Sequence, residues 1–210
     1  EMVIRDWSSD VCSSDLRTVL FRNKFPDRFF EMGIAEQNMA STAAGFALAG
    51  KIPFINSFAV FASGRAYDQI RNSICIPRLS VRICGSSSGL SDFGDGKTHQ
   101  AVEDVALMRA IPNMTVLVPV DAIEMEKMVE ASINYNGPVY FRVNRNDLPV
   151  YTDPSIPYRI GEMNVIRHGS DVVIFSNGVM ISKSMEAAEK LAGEGISVKI
   201  VNVSTVKPLE

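Results

Sequence analysis

Tryptophan occurs once in 210 residues, histidine twice and cysteine three times, and each scarcity excludes something. Cys12, Cys75 and Cys84 form no C-x-x-C pair and no metal-ligand spacing, so reduced thiols are expected rather than a disulfide framework, and no metal site is expected in this chain. No run approaches the roughly 18–20 consecutive apolar residues that cross a bilayer, and the charged start has no compact apolar stretch before a cleavage site. The expectation is a cytoplasmic protein with no membrane partner. Basic residues are not in surplus: 21 Lys and Arg against 24 Asp and Glu leave a net charge of −3, with a pI of about 5.5. That balance argues against a nucleic-acid partner, although one or two arginines suffice to hold a phosphate. What remains, 46% hydrophobic and 21% charged residues, is the composition of a folded globular chain with one large or two small domains.

Residues 1–16, EMVIRDWSSDVCSSDL, hold the lone Trp and a Ser-Ser-Asp repeat without an apolar period, and read as neither helix nor strand. DWSSDVCSSDL resembles one translated frame of a common sequencing adapter. The segment is therefore read as a non-native tail and set aside, the alternative being an ordinary flexible tail rich in serine and aspartate. From residue 29 onward, short apolar runs alternate with amphipathic stretches, the pattern of an α/β fold with a mostly parallel sheet flanked by helices. Helices are expected over 35–49, ended by Gly50, over 64–73 and over 101–109, and from an Asp121 N-cap to residue 134. Strands are expected over 52–57, 79–84, in MTVLVPVD and in PVYFRV. A long Gly/Ser/Asp loop spans 85–98. The first domain thus covers 17–143. Residues 144–160, rich in Pro, Asp and Asn, read as a linker. DVVIFSNG, a helix from 179 to 191 and ISVKIVNV then form one βαβ unit, too small for a core of its own, so 161–210 is read as a truncated second α/β domain.

Few side chains stand out as chemical. Glu36 opens the Ala-rich helix, where an acid either complements the positive end of the helix dipole or acts as a catalyst. His99 lies in GDGKTHQ beside Asp95, in a polar loop after a strand, where α/β sheets usually bind ligands. The flanking glycines allow the tight turn that would bring both toward a polar ligand. His168 reads as a surface turn residue. Phe58 and Phe61, three apart in NSFAVFASGRAYDQIR, are either core or an apolar wall for a flat heteroaromatic ligand. Arg65 and Arg71 in the same run either solvate a helix face or pair with acids at a subunit contact.

Taken in order, GIAEQNM with its Ala-rich helix, SFAVF, DGKTHQAVEDVALMRAIPNMTVLVPVD, RNDLP and VNVSTVKPLE resemble transketolase over 17–210. The matching part is the pyrimidine-binding domain and the start of the C-terminal domain, as in the C-terminal subunit of a split transketolase. The resemblance implies thiamine diphosphate, Mg2+ and transfer of a two-carbon ketol unit between sugar phosphates in the pentose phosphate pathway. It assigns Glu36 to the ring nitrogen of the cofactor's aminopyrimidine, favouring the imino tautomer that removes the thiazolium proton, which implies a buried carboxyl. Phe61 would stack on the pyrimidine with Phe58 behind it. Asp95 and His99 would hydrogen-bond substrate hydroxyls, and Arg145 would grip the sugar phosphate.

Departures from the family pattern matter equally. No adjacent asparagine pair follows Gly94-Asp95-Gly96, so this triplet is not read as the magnesium motif, and Mg2+ is expected on a diphosphate-binding half absent from this chain. That half would come from an N-terminal subunit or domain, in a homodimer or heterotetramer, and alone this chain would not turn over. SSSG around Ser87 stands where many transketolases have a histidine, leaving the acceptor sugar open. Three rivals compete with this reading. 1-Deoxyxylulose-5-phosphate synthase shares GIAEQ, RAYDQ and the DG-TH loop and condenses pyruvate with an aldehyde phosphate. The β subunit of two-oxoacid dehydrogenases is more distant. A non-catalytic α/β partner subunit would keep the fold without the chemistry.

Overall fold

The computed structural model describes residues 2–6, as backbone, and 18–209. Most of the adapter-like segment, with Cys12, lies outside the described residues. Contacts divide the chain into two compact units, Glu1–Thr115 with Tyr135–Arg145, and Val116–Asn134 with Asn146–Glu210.

The first unit is built on four parallel strands in the order β1 (Met2–Asp6), β2 (Ile52–Phe58), β3 (Arg82–Ser86) and β5 (Val139–Arg142), numbered in chain order with β4 (Thr115–Leu117) between the last two. Ile4 pairs with Phe54, Ile55 with Ile83 and Ile83 with Tyr140. The strand at Met2–Asp6 corrects the expectation that this segment forms no regular element: its backbone finds a partner in the edge of β2, a long-range pairing that local sequence does not encode. After a short helix, α1 (Val19–Lys24), the longer α2 (Glu36–Leu48) runs as expected. Its buried residues, Glu36, Met39, Ala40, Ala43 and Ala44, recur at helical spacing on one face. Gly50 closes the helix at φ 77°, a left-handed conformation that glycine adopts without a Cβ clash.

The helix expected over 64–73 is a longer composite: a π-helical turn Phe61–Arg65, a short α3 (Tyr67–Gln69) and a second π-helical turn Ile70–Cys75. The Ala66 amide donates to the Phe61 carbonyl and the Ile76 amide to the Arg71 carbonyl, both five residues back. β3 begins three residues later than expected, because the chain leaves the second π turn through a further turn at 76–78, with Arg78 at φ 57°. Within β3, Gly85 packs on β5, and a Cβ there would collide with the Tyr140 hydroxyl. Arg82 is fully buried and donates to the carbonyls of Gly137 at 2.6 Å and Tyr135 at 2.7 Å. Burial lowers its pKa to about 10. The last helix of this unit, α4 (Asp104–Ala110), begins with buried Asp104, which accepts from the Tyr140 hydroxyl at 3.0 Å and the Arg142 Nε at 2.9 Å.

The second unit contains α5 (Ala122–Ile133), the strands β6 (Asn164–Arg167), β7 (Val172–Ser176) and β8 (Val198–Asn202), and α6 (Met180–Gly193) between β7 and β8. β7 and β8 are parallel, the expected βαβ, while β6 adds an antiparallel edge beyond that expectation. The antiparallel β9 (Thr205–Lys207) pairs with Val116 and Leu117 of β4. Val120, Ile181, Ala188, Val198 and Ile200 form a buried cluster of this unit, which also holds α5 and the residues following 145. Asp121 caps α5, accepting from the Glu124 amide at 2.8 Å, and also fastens the 150–152 segment through the amides of Tyr151 and Thr152. His168 is exposed just after β6, and Cys75 and Cys84 carry thiols rather than a disulfide.

Candidate functional site

The carboxyl end of β2, the π turn that follows it, the start of α2 and the loop after β3 bring the candidate residues of the first unit together. Glu36 has no exposed surface, and both its carboxylate oxygens lie 2.9 Å from one nitrogen, Nη1 of Arg65. Its helix start has no side-chain cap, since Ala35 occupies the N-cap. The carboxylate therefore supplies negative charge to the positive end of α2. Arg65 is four residues beyond Phe61, and its guanidinium carbon lies 4.4 Å from the Phe61 ring centroid. The π turn sets this pairing, consistent with the frequency of such turns at functional sites.

Phe58 is buried, and Phe61 and His99 are half-buried, as an edge-on triad: His99 lies 5.3 Å from Phe58 and 5.1 Å from Phe61, and the two phenyl rings are 6.0 Å apart. The Thr98 hydroxyl is 3.0 Å from His99 Nδ1. Glu36, Phe58, Phe61 and His99 thus form one cluster, linked through Arg65. Asp95 heads the 3-10 turn Gly96–Thr98 that carries the chain to His99, is half-buried, and its amide donates to Asp92 Oδ1 at 3.3 Å. Arg145 is held apart from that cluster's ion pair: its Nη1 is 3.2 Å from Oδ1 of fully buried Asp92, and its amide donates to the Ser91 hydroxyl.

Two residues of consequence have roles that sequence reasoning misses. Arg65 reads from sequence as a helix-face or subunit-contact residue, yet within this chain it is the ion partner of Glu36. Its spacing of four from Phe61 is the available signal. Asp92 offers none, since an aspartate in a Gly/Ser loop reads as a turn former. Among the described residues, no group of three or more His, Cys, Asp or Glu is arranged to hold a metal ion, and no helix is long and apolar enough to cross a membrane. A cavity of about 240 Å³ in the second unit, lined by Glu124, Lys127, Tyr151, Tyr158 and Ile166 among others, contains none of the candidate residues.

A parallel α/β unit that sets a dry carboxylate at a helix start beside aromatic rings defines a class of modules suited to a flat, nitrogen-edged ligand. Comparison with known proteins specifies the class. The model of the transketolase pyrimidine-binding domain matches residues 7–150, and that of the transketolase C-terminal domain matches 161–210. The chain belongs to the transketolase family, which is thiamine diphosphate-dependent. It is 40% identical over 200 residues to a Methanocaldococcus jannaschii protein named as a putative transketolase C-terminal section, covering 94% of this chain and 63% of that one. A 1-deoxy-D-xylulose-5-phosphate synthase of Geobacillus thermodenitrificans is 42% identical over 193 residues, covering 90% of this chain and 30% of the synthase. Among solved structures, a split-gene transketolase described as an inactive β4 tetramer is 43% identical, with a TM-score of 0.87 over 99% of this chain and 66% of that one. This chain therefore spans less than two thirds of the length of these relatives.

Proposed function

We propose that this chain supplies the pyrimidine-binding half of a thiamine diphosphate-dependent site that transfers a two-carbon ketol unit between sugar phosphates. The observation that carries the reading is the wholly buried Glu36 carboxylate, joined through Arg65 to Phe61 and, through that ring, to His99. These residues fit the aminopyrimidine end of the cofactor: a carboxylate shielded from water is matched to a ring nitrogen, and a half-buried phenyl is matched to a flat ring. When bound, thiamine diphosphate supplies the carbanion chemistry.

This chain's residues do the rest. Glu36 hydrogen-bonds the pyrimidine nitrogen and holds a proton there, in a site where water does not compete for it. Phe61 stacks on the ring, and Phe58, edge-on behind it, fixes its tilt. His99, oriented by Thr98 and both phenyl edges, hydrogen-bonds substrate hydroxyls together with Asp95. Arg145 binds the sugar phosphate, with its charge partly offset by Asp92. The diphosphate and Mg2+ belong to a diphosphate-binding partner chain or domain, and without it this chain is inactive.

The split-gene relatives favour ketol transfer. A second reading, condensation of pyruvate with an aldehyde phosphate, has its own support in the 42% identity to the synthase. The test is to assay this chain with a cognate diphosphate-binding half, thiamine diphosphate and Mg2+, against xylulose 5-phosphate and against pyruvate. Ketol transfer from the sugar is expected. Pyruvate decarboxylation would establish the second reading instead, and silence with both donors would leave a non-catalytic partner subunit.

A further inference from the structure

A carboxylate with no exposed surface is costly to leave without a counter-charge, so before any cofactor binds the chain needs a partner for Glu36 that can later be replaced. Arg65 meets both demands. It contacts both carboxylate oxygens at 2.9 Å, its guanidinium lies over the Phe61 ring at 4.4 Å, and its side chain remains 44% exposed, leaving a short path into solvent. A guanidinium is planar and nitrogen-rich and donates N–H to an acid at its edge while its face rests on an aromatic. An aminopyrimidine stacked on Phe61 and hydrogen-bonded to Glu36 would make the same two contacts. Resting on the function proposed above, we infer that Arg65 is a built-in stand-in for the cofactor's pyrimidine, holding its seat until the cofactor enters and then swinging into solvent.

The stand-in preserves the site before assembly, keeping Glu36 paired and Phe61 covered. It also lowers the apparent affinity for a heterocycle by the fraction of molecules in which Arg65 fills the seat. Removing the guanidinium should therefore strengthen pyrimidine binding, whereas loss of a true cofactor ligand would weaken it.

The experiment is calorimetric titration of the full chain, wild type and Arg65→Ala, with 4-amino-5-hydroxymethyl-2-methylpyrimidine, alongside thermal unfolding with and without methylguanidinium. The expected result is binding at least roughly tenfold tighter in Arg65→Ala, with methylguanidinium raising the unfolding temperature of the variant alone and competing with the pyrimidine. Arg65→Lys keeps a charge on Glu36 but has no flat fork to lay over Phe61. It should fall between the two, and it carries the test if Arg65→Ala does not fold. Equal or weaker pyrimidine binding by the variants would overturn the stand-in while leaving the pyrimidine seat intact. If no chain binds the pyrimidine although methylguanidinium rescues Arg65→Ala, the seat itself has been misassigned, and the functional reading falls with the inference.

Discussion

Each compact unit buries a glutamate in the first turn of a helix, and the two are held in opposite ways. Glu124 in α5 is fixed by the protein: it accepts from the Val120 amide at 2.7 Å and from Asn202 Nδ2 at 2.9 Å, and burial raises its pKa above the usual 4.5. Glu36 in α2 is held by one long, half-exposed side chain from a π-helical turn. Backbone and amide donors cannot leave without local unfolding, whereas an arginine at the surface can. The contrast separates a carboxylate that stabilises its fold from one whose partner can be exchanged for a ligand.

The comparison breaks most sharply in a pair of substitutions. Glu36→Gln should lower turnover of the assembled enzyme by about 10²- to 10⁴-fold, while its urea midpoint moves little because Arg65 can turn to water. Wild-type turnover in that variant would remove Glu36 from the mechanism. Glu124→Leu should do the reverse, destabilising the protein by about 1–3 kcal/mol because the buried donors of Val120 and Asn202 lose their acceptor, with little effect on turnover of the folded fraction. An unchanged unfolding free energy would show that this network contributes nothing.

A smaller effect should sharpen the structural side. Asp121→Asn keeps one oxygen to cap α5 but replaces the other, which accepts from the Tyr151 and Thr152 amides, with a donor, for a loss of about 1 kcal/mol at neutral pH. The Asp121 pKa lies below its usual 3.8, held down by the Glu124 amide and by the Thr152 and Tyr151 donors, which outweigh the opposing effect of burial. Its contribution is thus present above pH 3.8 and lost as pH falls through the depressed folded value, so the gap between wild type and variant should close in acid. Glu124 has the opposite sign. Its raised folded pKa makes its titration-linked contribution complete below pH 4.5 and lost as pH rises through the folded value. Stability of wild type relative to Glu124→Gln should therefore improve on going from neutral toward pH 4.5. Urea unfolding from neutral pH through 4.5 to below 3.8 reads both slopes, and slopes of the same sign would contradict the assignment.

Much of the fold is readable in the sequence where local physics decides. α2 shows itself by alanines ended at Gly50, and α5 by Asp121 three residues before Glu124, the spacing of an N-cap and its acidic third helical residue. The βαβ of the second unit follows from a clear change of period between VVIFS, the amphipathic helix and VKIVN. Less legible are the short β6, four residues without alternating burial, and the strand Met2–Asp6, whose only recommendation is the edge of β2 beside it. The start of β3 is shifted because a turn at 76–78, with Arg78 in the left-handed region, follows the π-helical segment, and no hydrophobic pattern announces it.

The site divides along the same line. Residue types and order, read together with the resemblance to transketolase, marked Glu36, Phe58, Phe61, Asp95 and His99 as worth watching, although an acid at a helix start and rings near a strand end also have ordinary structural uses. Only the tertiary structure decided that Glu36 is dry, that Phe58, Phe61 and His99 meet edge to edge, and that Arg65, 29 residues along the chain, closes an ion pair on Glu36. The reason is physical: propensity and period act over a few neighbouring residues, while burial and charge pairing depend on which distant segments the sheet brings side by side.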